Sequence, residues 1–281
     1  MPADVTTDGV FVTDLPALFD LSGQTAVVTG GGGALGAVVA RGLAAAGASV
    51  VVVDLRQASA EQVSQSITEA GGQAIGLGAD LSAEAAVGQV FADVDAAFGQ
   101  VNILVNAISA PVERHRAEEF PLEAWNSMLA ANLTSYFLCS RAAAGRMIAA
   151  GRGGAIVNFA SIAGLSAMGR GNLAYSAAKG GVVQLTREHA YVWAPHGIRV
   201  NAVLPCQFVN EWWAGQIADP AHAKLVARSV SGIPLGRLGE PPEIVGPVLF
   251  LASAAASMVT GVMLPVDGGN LAMNAGASLD W

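Results

Sequence analysis

The stretch "TAVVTGGGGALGAVVARGL", residues 25–43, decides the fold of this chain. An apolar run at 25–29 is followed by four consecutive glycines, Gly30 to Gly33, and then by an alanine-rich segment with helical spacing. This order predicts a strand, a tight turn and the start of a helix. Because the first backbone N–H groups of a helix have no partner within it, they would face any anion that sits in the turn.

The same alternation of apolar runs and alanine-rich segments continues outward from this turn. The runs are apolar without polar alternation, which is typical of strands buried on both faces of a parallel sheet. Predicted strands are 25–29, 49–54, 73–80, 102–107, 154–160, 198–205 and 261–267, and predicted helices are 34–46, 58–71, 83–98, 122–150, 173–194 and 241–256. We therefore expect an α/β, doubly wound Rossmann fold, with about seven parallel strands flanked by helices.

The domain organisation follows from this rhythm. Residues 1–22 are predicted to be an N-terminal leader, and residues 23–281 a single domain, because no repeat or linker divides them. The segment 207–237 is long, mixed and aromatic, and it lies before the last predicted helix and strand. Ligands of doubly wound folds bind beyond the carboxyl ends of the strands, so we expect this insertion to form a lid.

Composition restricts the possible partners. With 53% hydrophobic and 13% charged residues the chain can bury a sizeable core, and its net charge of −8 argues against nucleic acid as a partner. The uncharged stretch 244–266 contains prolines and hydroxyl residues, which favours a buried helix and strand over a membrane span. Two cysteines and no visible export signal predict a reduced, cytoplasmic protein.

An acidic residue supports a dinucleotide site at the glycine turn. Asp54 ends the second predicted strand, about where a dinucleotide-binding fold places the carboxylate that binds the ribose hydroxyls. A carboxylate there repels a 2′-phosphate, so NAD(H) is the expected cofactor. Arg56 is the one nearby cation that could weaken this preference.

Tyr175 and Lys179 are the candidate catalytic pair. They lie four residues apart in a predicted helix and so share one face. A nearby ammonium group lowers the pKa of a tyrosine and makes proton exchange with an alcohol feasible. Ser161 follows a predicted strand and could hold the substrate oxygen. The four histidines are scattered without metal-ligand spacing, so no metal site is predicted.

The chain resembles the classical short-chain dehydrogenase/reductase family over residues 20–270. The motifs that carry the resemblance are "TGGGGALG", "DL" at 80–81, "NLTSYFL", "IVNFASIAG", "YSAAK", "IRVNAVLP" and "GVMLPVDGG". The resemblance implies a catalytic tetrad of Asn132, Ser161, Tyr175 and Lys179, in which Asn132 positions a water that relays protons to Lys179. It also implies that Lys179 holds the nicotinamide ribose and that the protein is a homo-oligomer, expected to be a homotetramer.

The cofactor residues follow from the same motifs. The expected set is Gly30, Gly32, Gly33, Ala34, Leu35, Gly36, Asp54, Asp80, Leu81, Asn106, Tyr175, Lys179, Pro205 and Phe208. The chain departs from the family pattern in four places: Ala34 replaces a turn glycine, Ala107-Ile108-Ser109 follows Asn106, Cys206 follows Pro205, and Asn210 replaces a common threonine. The last three make the nicotinamide end of the site less certain than the adenosine end.

The substrate is predicted to be a small secondary alcohol or ketone. Ser161, Tyr175, Asn210, Trp212 and Trp213 are the candidate substrate residues, although the two tryptophans could equally pack the lid. Similarity to gluconate- and mannonate-type sugar-acid and polyol oxidoreductases favours a sugar, sugar acid or polyol. A 3-oxoacyl-thioester or cyclic-ketone reductase is the enzymatic alternative, and an NAD-sensing regulatory protein the alternative from another class.

Overall fold

A computed structural model describes residues 14–273 of the chain. Seven strands form one sheet in the order β3-β2-β1-β4-β5-β6-β7, and every neighbouring pair is parallel. The strands are β1 Thr25–Thr29, β2 Ser49–Asp54, β3 Gln73–Gly78, β4 Ile103–Asn106, β5 Gly154–Phe159, β6 Ile198–Pro205 and β7 Met263–Val266. The predicted doubly wound, seven-stranded parallel sheet is confirmed.

Helices cover both faces of the sheet. They are α1 Ala34–Ala45, α2 Gln57–Glu69, α3 Glu84–Phe98, α4 Leu122–Leu129, α5 Ser135–Ala150, α6 Leu173–Trp193, α7 Glu211–Ala218, α8 Ala223–Val230 and α9 Val245–Ala252. Successive strand residues point to opposite faces. Val28 packs with α1, α2 and α9, whereas Val27 packs with α3, α5 and α6.

Two predicted helices are divided in the structure. A π-helical turn, Ala130–Thr134, separates α4 from α5. In this turn the Nδ2 of Asn132 donates to the carbonyl of Met128 at 3.2 Å, the acceptor that the backbone N–H of Asn132 would use in an α-helix. The predicted helix 241–256 begins with a 3-10 turn, Pro241–Ile244, and ends with another, Ala254–Ala256.

The segment predicted to be a lid contains two short helices. They are α7 and α8, and they come before α9 and β7, as expected. Trp213, Ile233 and Leu238 form a small apolar cluster inside this segment, separate from the main core. The lid therefore has its own packing, although the sequence pattern alone indicated only a mixed insertion.

The uncharged stretch 244–266 includes two separate elements, a helix and a strand. It contains α9, which buries Val248 and Leu251, and then β7 at the edge of the sheet. The predicted helix and strand are both present, but only the helix has a buried face: β7 has no fully buried residue and its Pro265 is exposed, because β7 lies at the edge of the sheet. None of the helices within residues 14–273 has both the length and the apolar character needed to cross a bilayer.

Residues 1–13 of the predicted leader lie outside the described residues. The remaining part, 14–22, contains a 3-10 turn, Pro16–Phe19, and then the fully buried Leu21. The Leu21 N–H donates to the carbonyl of Ala46 at 2.7 Å, at the end of α1. This end of the leader is thus attached to the domain.

Candidate active site

A large cleft opens at the carboxyl ends of the strands, where β1 lies between β2 and β4. Ligands of doubly wound sheets bind at this topological switch point. The cleft has a volume of about 1280 Å³. That is more than the roughly 300–1000 Å³ of common small-molecule sites, so the cleft has room for a dinucleotide together with a substrate.

The glycine turn between β1 and α1 forms one wall of the cleft. Gly30 has φ +67°, and a Cβ at this position would lie 2.7 Å from the carbonyl of Ala107. Gly33 caps α1 without a side-chain hydrogen bond, so the first N–H groups of the helix face the cleft. This glycine-lined cradle at a helix N-terminus fits the diphosphate of a dinucleotide.

Asp54 lies beside this turn and is fixed by backbone donors. Its Oδ2 accepts from the N–H of Gly32 and its Oδ1 from the N–H of Arg56, each at 3.1 Å. The guanidinium of Arg56 is exposed, with its Nε 4.0 Å from Oδ1. Both side chains line the cleft, so a carboxylate and a mobile cation meet where the adenosine ribose would lie.

Ser161 and Tyr175 meet at the other end of the cleft. Ser161 follows β5, and its Oγ accepts from the N–H of Ala163 at 3.1 Å, which fixes the hydroxyl at the start of a 3-10 turn. Burial raises the pKa of Tyr175, whereas hydrogen bonds with Ser161 and Ser109 lower it. A protonated phenol and a serine hydroxyl thus lie together in a half-enclosed pocket.

Lys179 lies one turn after Tyr175 on α6 and is almost fully buried. Its Nζ donates to the carbonyl of Phe159 at 2.8 Å, to the Tyr136 hydroxyl at 2.9 Å and to the carbonyl of Ile108 at 3.3 Å. Nζ is 5.8 Å from the centre of the Tyr175 ring. Burial lowers the pKa of Lys179 to about 7.

Most of the predicted site residues line this one cleft. They are Gly30, Gly33, Ala34, Leu35, Gly36, Asp54, Asp80, Leu81, Ser161, Tyr175, Lys179, Pro205, Phe208, Asn210, Trp212 and Trp213. The structure therefore brings together residues that are spread over nearly two hundred positions of sequence. Their roles remain predictions.

Three predicted site residues do not line the cleft. Gly32 turns its backbone toward Asp54, and a Cβ there would lie 2.6 Å from the Cβ of Ser59. Asn106 is fully buried, and its Nδ2 donates to the Oδ1 of Asn158 at 2.9 Å and to the Oγ of Ser140 at 3.1 Å. Asn106 thus connects β4 to β5 and α5 beneath the cleft.

Asn132 is the third of these residues. It is fully buried in the π-helical turn, and its Nδ2 donates to Met128, while its Oδ1 has no partner among the described residues. No direct contact with Lys179 accompanies these bonds in the part of the chain that the structure describes. The tetrad member implied by the resemblance therefore lies behind the reacting groups.

The lid residues have unequal environments. Trp213 is buried against Ile233 and Leu238, whereas Trp212 is 50% exposed. Their rings meet edge to face, with centres 4.8 Å apart. The Oδ1 of Asn210 accepts from the N–H of Trp213 at 2.9 Å and so caps α7. Trp212 is the more exposed of the two tryptophans of the lid.

Several residues of the cleft were not singled out from the sequence. Ser109 was noted only as a departure from the family pattern, yet it lines the cleft and lowers the pKa of Tyr175. Arg228 also lines the cleft, from α8. A charge on a short amphipathic helix carries no local signal for a site, so only the fold reveals Arg228.

Cys206 also lines the cleft, beside Pro205. Burial raises the pKa of its thiol. A protonated thiol is a weak nucleophile. Cys206 therefore lacks the thiolate that a catalytic nucleophile would need.

Most of the chain is similar to known proteins. The family model described as enoyl-(acyl carrier protein) reductase matches residues 32–270. The chain is 41% identical over 257 residues to D-threitol dehydrogenase of Mycolicibacterium smegmatis, covering 89% of this chain and 94% of that protein. It is 38% identical over 255 residues to 2-dehydro-3-deoxy-D-gluconate 5-dehydrogenase of Escherichia coli, covering 90% and 98%.

The chain is also similar to solved structures of dehydrogenases. A short-chain type dehydrogenase/reductase from Mycobacterium marinum has a TM-score of 0.82 and 35% identity, covering 90% of this chain and 97% of that one. A gluconate 5-dehydrogenase from Burkholderia cenocepacia, in complex with NADP and tartrate, has a TM-score of 0.84 and 32% identity, covering 93% and 100%. An NAD⁺-bound xylitol dehydrogenase has a TM-score of 0.83 and 30% identity, covering 89% and 99%.

Proposed function

The chain belongs to the short-chain dehydrogenase/reductase family, and from this premise we propose that it is an NAD(H)-dependent dehydrogenase of polyhydroxylated secondary alcohols, most of all sugar acids. The oxidation of a secondary alcohol or the reduction of its ketone is the reaction class of its relatives. The single observation that carries the proposal is the meeting of Ser161, Tyr175 and Lys179 at one end of a cleft whose other end is a dinucleotide cradle.

The roles of these residues follow from their chemistry. In the oxidation direction the hydroxyl proton of the alcohol passes to the Tyr175 oxygen, and Ser161 holds the same substrate oxygen by a hydrogen bond. Lys179 stabilises the Tyr175 phenolate by its charge. When bound, the nicotinamide supplies the acceptor or donor of the hydride. The lid segment 207–237 would exclude water from the reacting atoms.

NAD(H) is proposed over NADP(H) because of Asp54. Its carboxylate is held in place by two backbone N–H groups, as an acceptor for ribose hydroxyls would have to be. A 2′-phosphate on that ribose would meet this fixed negative charge. One of the solved structures named above holds NADP and another holds NAD⁺, so family membership does not decide between the cofactors and the preference depends on local residues of this chain.

A carboxylate on the substrate is supported by the charge of the cleft. Asp54 and Asp80 are the carboxylates among its described lining residues, and both belong to the dinucleotide half. Arg170, five residues before Tyr175, and Arg228, on the lid helix α8, bring positive charge to the other half. Arginine is well suited to bind a carboxylate.

We also propose a cytoplasmic location and a homotetrameric assembly. Cys139 and Cys206 are both free thiols, as is common in reducing compartments.

The proposed function is tested by measuring the change in NADH absorbance with each member of a substrate panel. The panel contains the pairs gluconate and glucitol, galactonate and galactitol, together with a 3-oxoacyl thioester and a cyclic ketone. We expect turnover of the polyhydroxylated compounds with NAD(H), and a lower KM for each acid than for its neutral partner. Turnover of only thioesters or apolar ketones would contradict the proposed substrate class.

Two tyrosine variants test whether turnover depends on Tyr175 in the cleft. Tyr175→Phe should reduce kcat by at least 10²-fold, because general acid–base catalysis typically contributes about 10²–10⁴-fold. NADH binding, measured by fluorescence, should stay within about twofold, since only one oxygen is removed. Tyr191→Phe is the matched control, because Tyr191 lies exposed on the outer face of α6. Activity above a tenth of wild type in Tyr175→Phe would rule out the proposed role.

A further inference from the structure

Three oxygen atoms converge on the ammonium group of Lys179. Two are backbone carbonyls, of Phe159 at the end of β5 and of Ile108 just beyond β4, and the third is the hydroxyl of Tyr136 on α5. An ammonium group has three hydrogens to donate. The three acceptors therefore match the three donors of Lys179.

Tyr136 is placed as firmly as the lysine that it contacts. It has no exposed surface, and its hydroxyl donates to the carbonyl of Ile108 at 2.8 Å, with the carbonyl of Phe159 at 3.1 Å as the second acceptor. With its one proton engaged there, the oxygen presents a lone pair to the Nζ of Lys179 at 2.9 Å. The Nζ is also 4.5 Å from the centre of the Tyr136 ring.

Asn132 lies one helical turn before Tyr136 but does not supply this contact. Its amide nitrogen is directed to Met128. The structure puts the phenol oxygen of Tyr136 directly on the lysine, at 2.9 Å from its Nζ.

We propose that Tyr136 is a positioning residue for the catalytic lysine, its hydroxyl supplying the fixed oxygen that holds Lys179 in its charged form. This inference rests on the proposed roles of Lys179 and Tyr175. A neutral oxygen that accepts a hydrogen bond from an ammonium group stabilises the charged state of that group. Through Lys179, Tyr136 would therefore make the deprotonation of Tyr175 easier.

Among the described residues, no other titratable group around the contact between Tyr136 and Lys179 could take the proposed role of Tyr136. Tyr175 on α6 and Cys139 on α5 are the further titratable groups that face it, and burial raises the pKa of Cys139 to about 12, so the thiol stays neutral. From β4 and β5 the lysine meets backbone carbonyls. Within residues 14–273 no carboxylate forms an ion pair with Lys179. Burial also raises the pKa of Tyr136, which keeps it a neutral partner.

The test uses the fact that the chain has three tyrosines. In a Tyr191→Phe background, tyrosinate absorbance during an alkaline titration reports Tyr175 and Tyr136. Adding Tyr136→Phe leaves Tyr175 as the single tyrosine. We expect the apparent pKa of Tyr175 to rise by about one pH unit, because the ammonium group of Lys179 loses a hydrogen-bond acceptor and then stabilises the phenolate less. The acid limb of kcat for alcohol oxidation should move to higher pH in parallel.

Three further variants make the outcome unambiguous. Tyr175→Phe in the Tyr191→Phe background should show no titration over the same pH range, because Tyr136 stays neutral. Tyr136→Leu also lacks the oxygen and must show the same rise as Tyr136→Phe, which protects the test if one of the two variants folds poorly. Lys179→Met should raise the pKa of Tyr175 further than either.

The results separate this inference from the proposed function. If Lys179→Met raises the pKa of Tyr175 but the Tyr136 variants do not, the role of Tyr136 is overturned and the role of Lys179 remains. If Lys179→Met leaves the pKa unchanged, the proposed role of Lys179 fails, and the inference about Tyr136 fails with it. A fall in the pKa of Tyr175 on removing the Tyr136 hydroxyl would also overturn the inference.

Discussion

Asp54 is the residue whose charge should decide between the two nicotinamide cofactors. The carboxylate is held by the N–H groups of Gly32 and Arg56, so it cannot easily turn away from a bound ribose. A 2′-phosphate would have to approach this charge at close range. In the same place, the exposed guanidinium of Arg56 can turn toward a phosphate, which tempers the preference.

Asp54→Ala should therefore shift the cofactor preference toward NADP(H). Removing the repulsion should change the ratio of kcat/KM for NAD and NADP by on the order of 1–3 kcal/mol, or about fivefold to 150-fold. Asp54→Asn is the matched control for shape, because its amide oxygen can still accept from the turn. In Asp54→Ala, adding Arg56→Ala should lower the use of NADP again. A wild-type preference of tenfold or more for NADP(H) would contradict the assignment.

Among single residues, the sequence predicts as members of the site those whose chemistry belongs to a recognisable motif. Asp54, Tyr175 and Lys179 were expected from spacing, and the structure brings all three to one cleft. Asn106 lies at the carboxyl end of a strand, where a cofactor contact was expected, but its side chain points into the layer between β5 and α5. Which side of a strand's last residue faces a ligand depends on the neighbouring strands, and the local sequence does not contain that information.

The lid is the element in which two adjacent tryptophans should have different roles. Trp213 is buried against Ile233 and Leu238, so it stabilises the lid itself. Trp212 is half exposed and borders the cleft, so its ring is available to stack on a sugar. Both side chains are large and aromatic, and their sequence neighbourhood did not separate these roles.

Single alanine variants of the lid should reveal this division. Trp212→Ala should raise KM for the sugar or sugar acid about fivefold to tenfold, with little change in NADH binding or in the melting temperature. Trp213→Ala should expose amides of 207–237 in hydrogen–deuterium exchange, since a large-to-small change in a packed cluster typically costs about 3–5 kcal/mol. Equal effects of the two variants on KM and on exchange would contradict the division.

The boundaries of strands and helices were predicted well where one apolar pattern runs through the element and no side chain competes for its backbone hydrogen bonds. The strands of the sheet are of this kind, because their runs are apolar on both faces. The break between α4 and α5 was not predicted, since it depends on the side chain of Asn132 bonding to the carbonyl of Met128. The lid helices α7 and α8 are short, and stable short helices depend on tertiary packing.

For the molecule as a whole, the outer faces of α5 and α6 carry several large apolar side chains that are exposed. Phe137 and Ile148 on α5 and Tyr191 and Val192 on α6 are all exposed, with Tyr191 at 83%. These two helices cover the same face of the sheet, together with α3. Contiguous apolar patches on soluble proteins are commonly sites of association, and closed symmetric homo-oligomers are the usual result.

We therefore expect light scattering to give a homotetramer at micromolar concentration, and Tyr191→Glu combined with Val192→Glu to dissociate it. Two carboxylates placed on this face would have to be buried without partners, and such burial is strongly unfavourable. Leu55→Glu is the control, because Leu55 is also exposed (73%) but follows β2, far along the chain from α5 and α6. The dissociated variant should keep its helical circular dichroism, since neither side chain belongs to the core of one subunit. A wild-type monomer, or a tetramer that survives both substitutions, would place the interface elsewhere or exclude it.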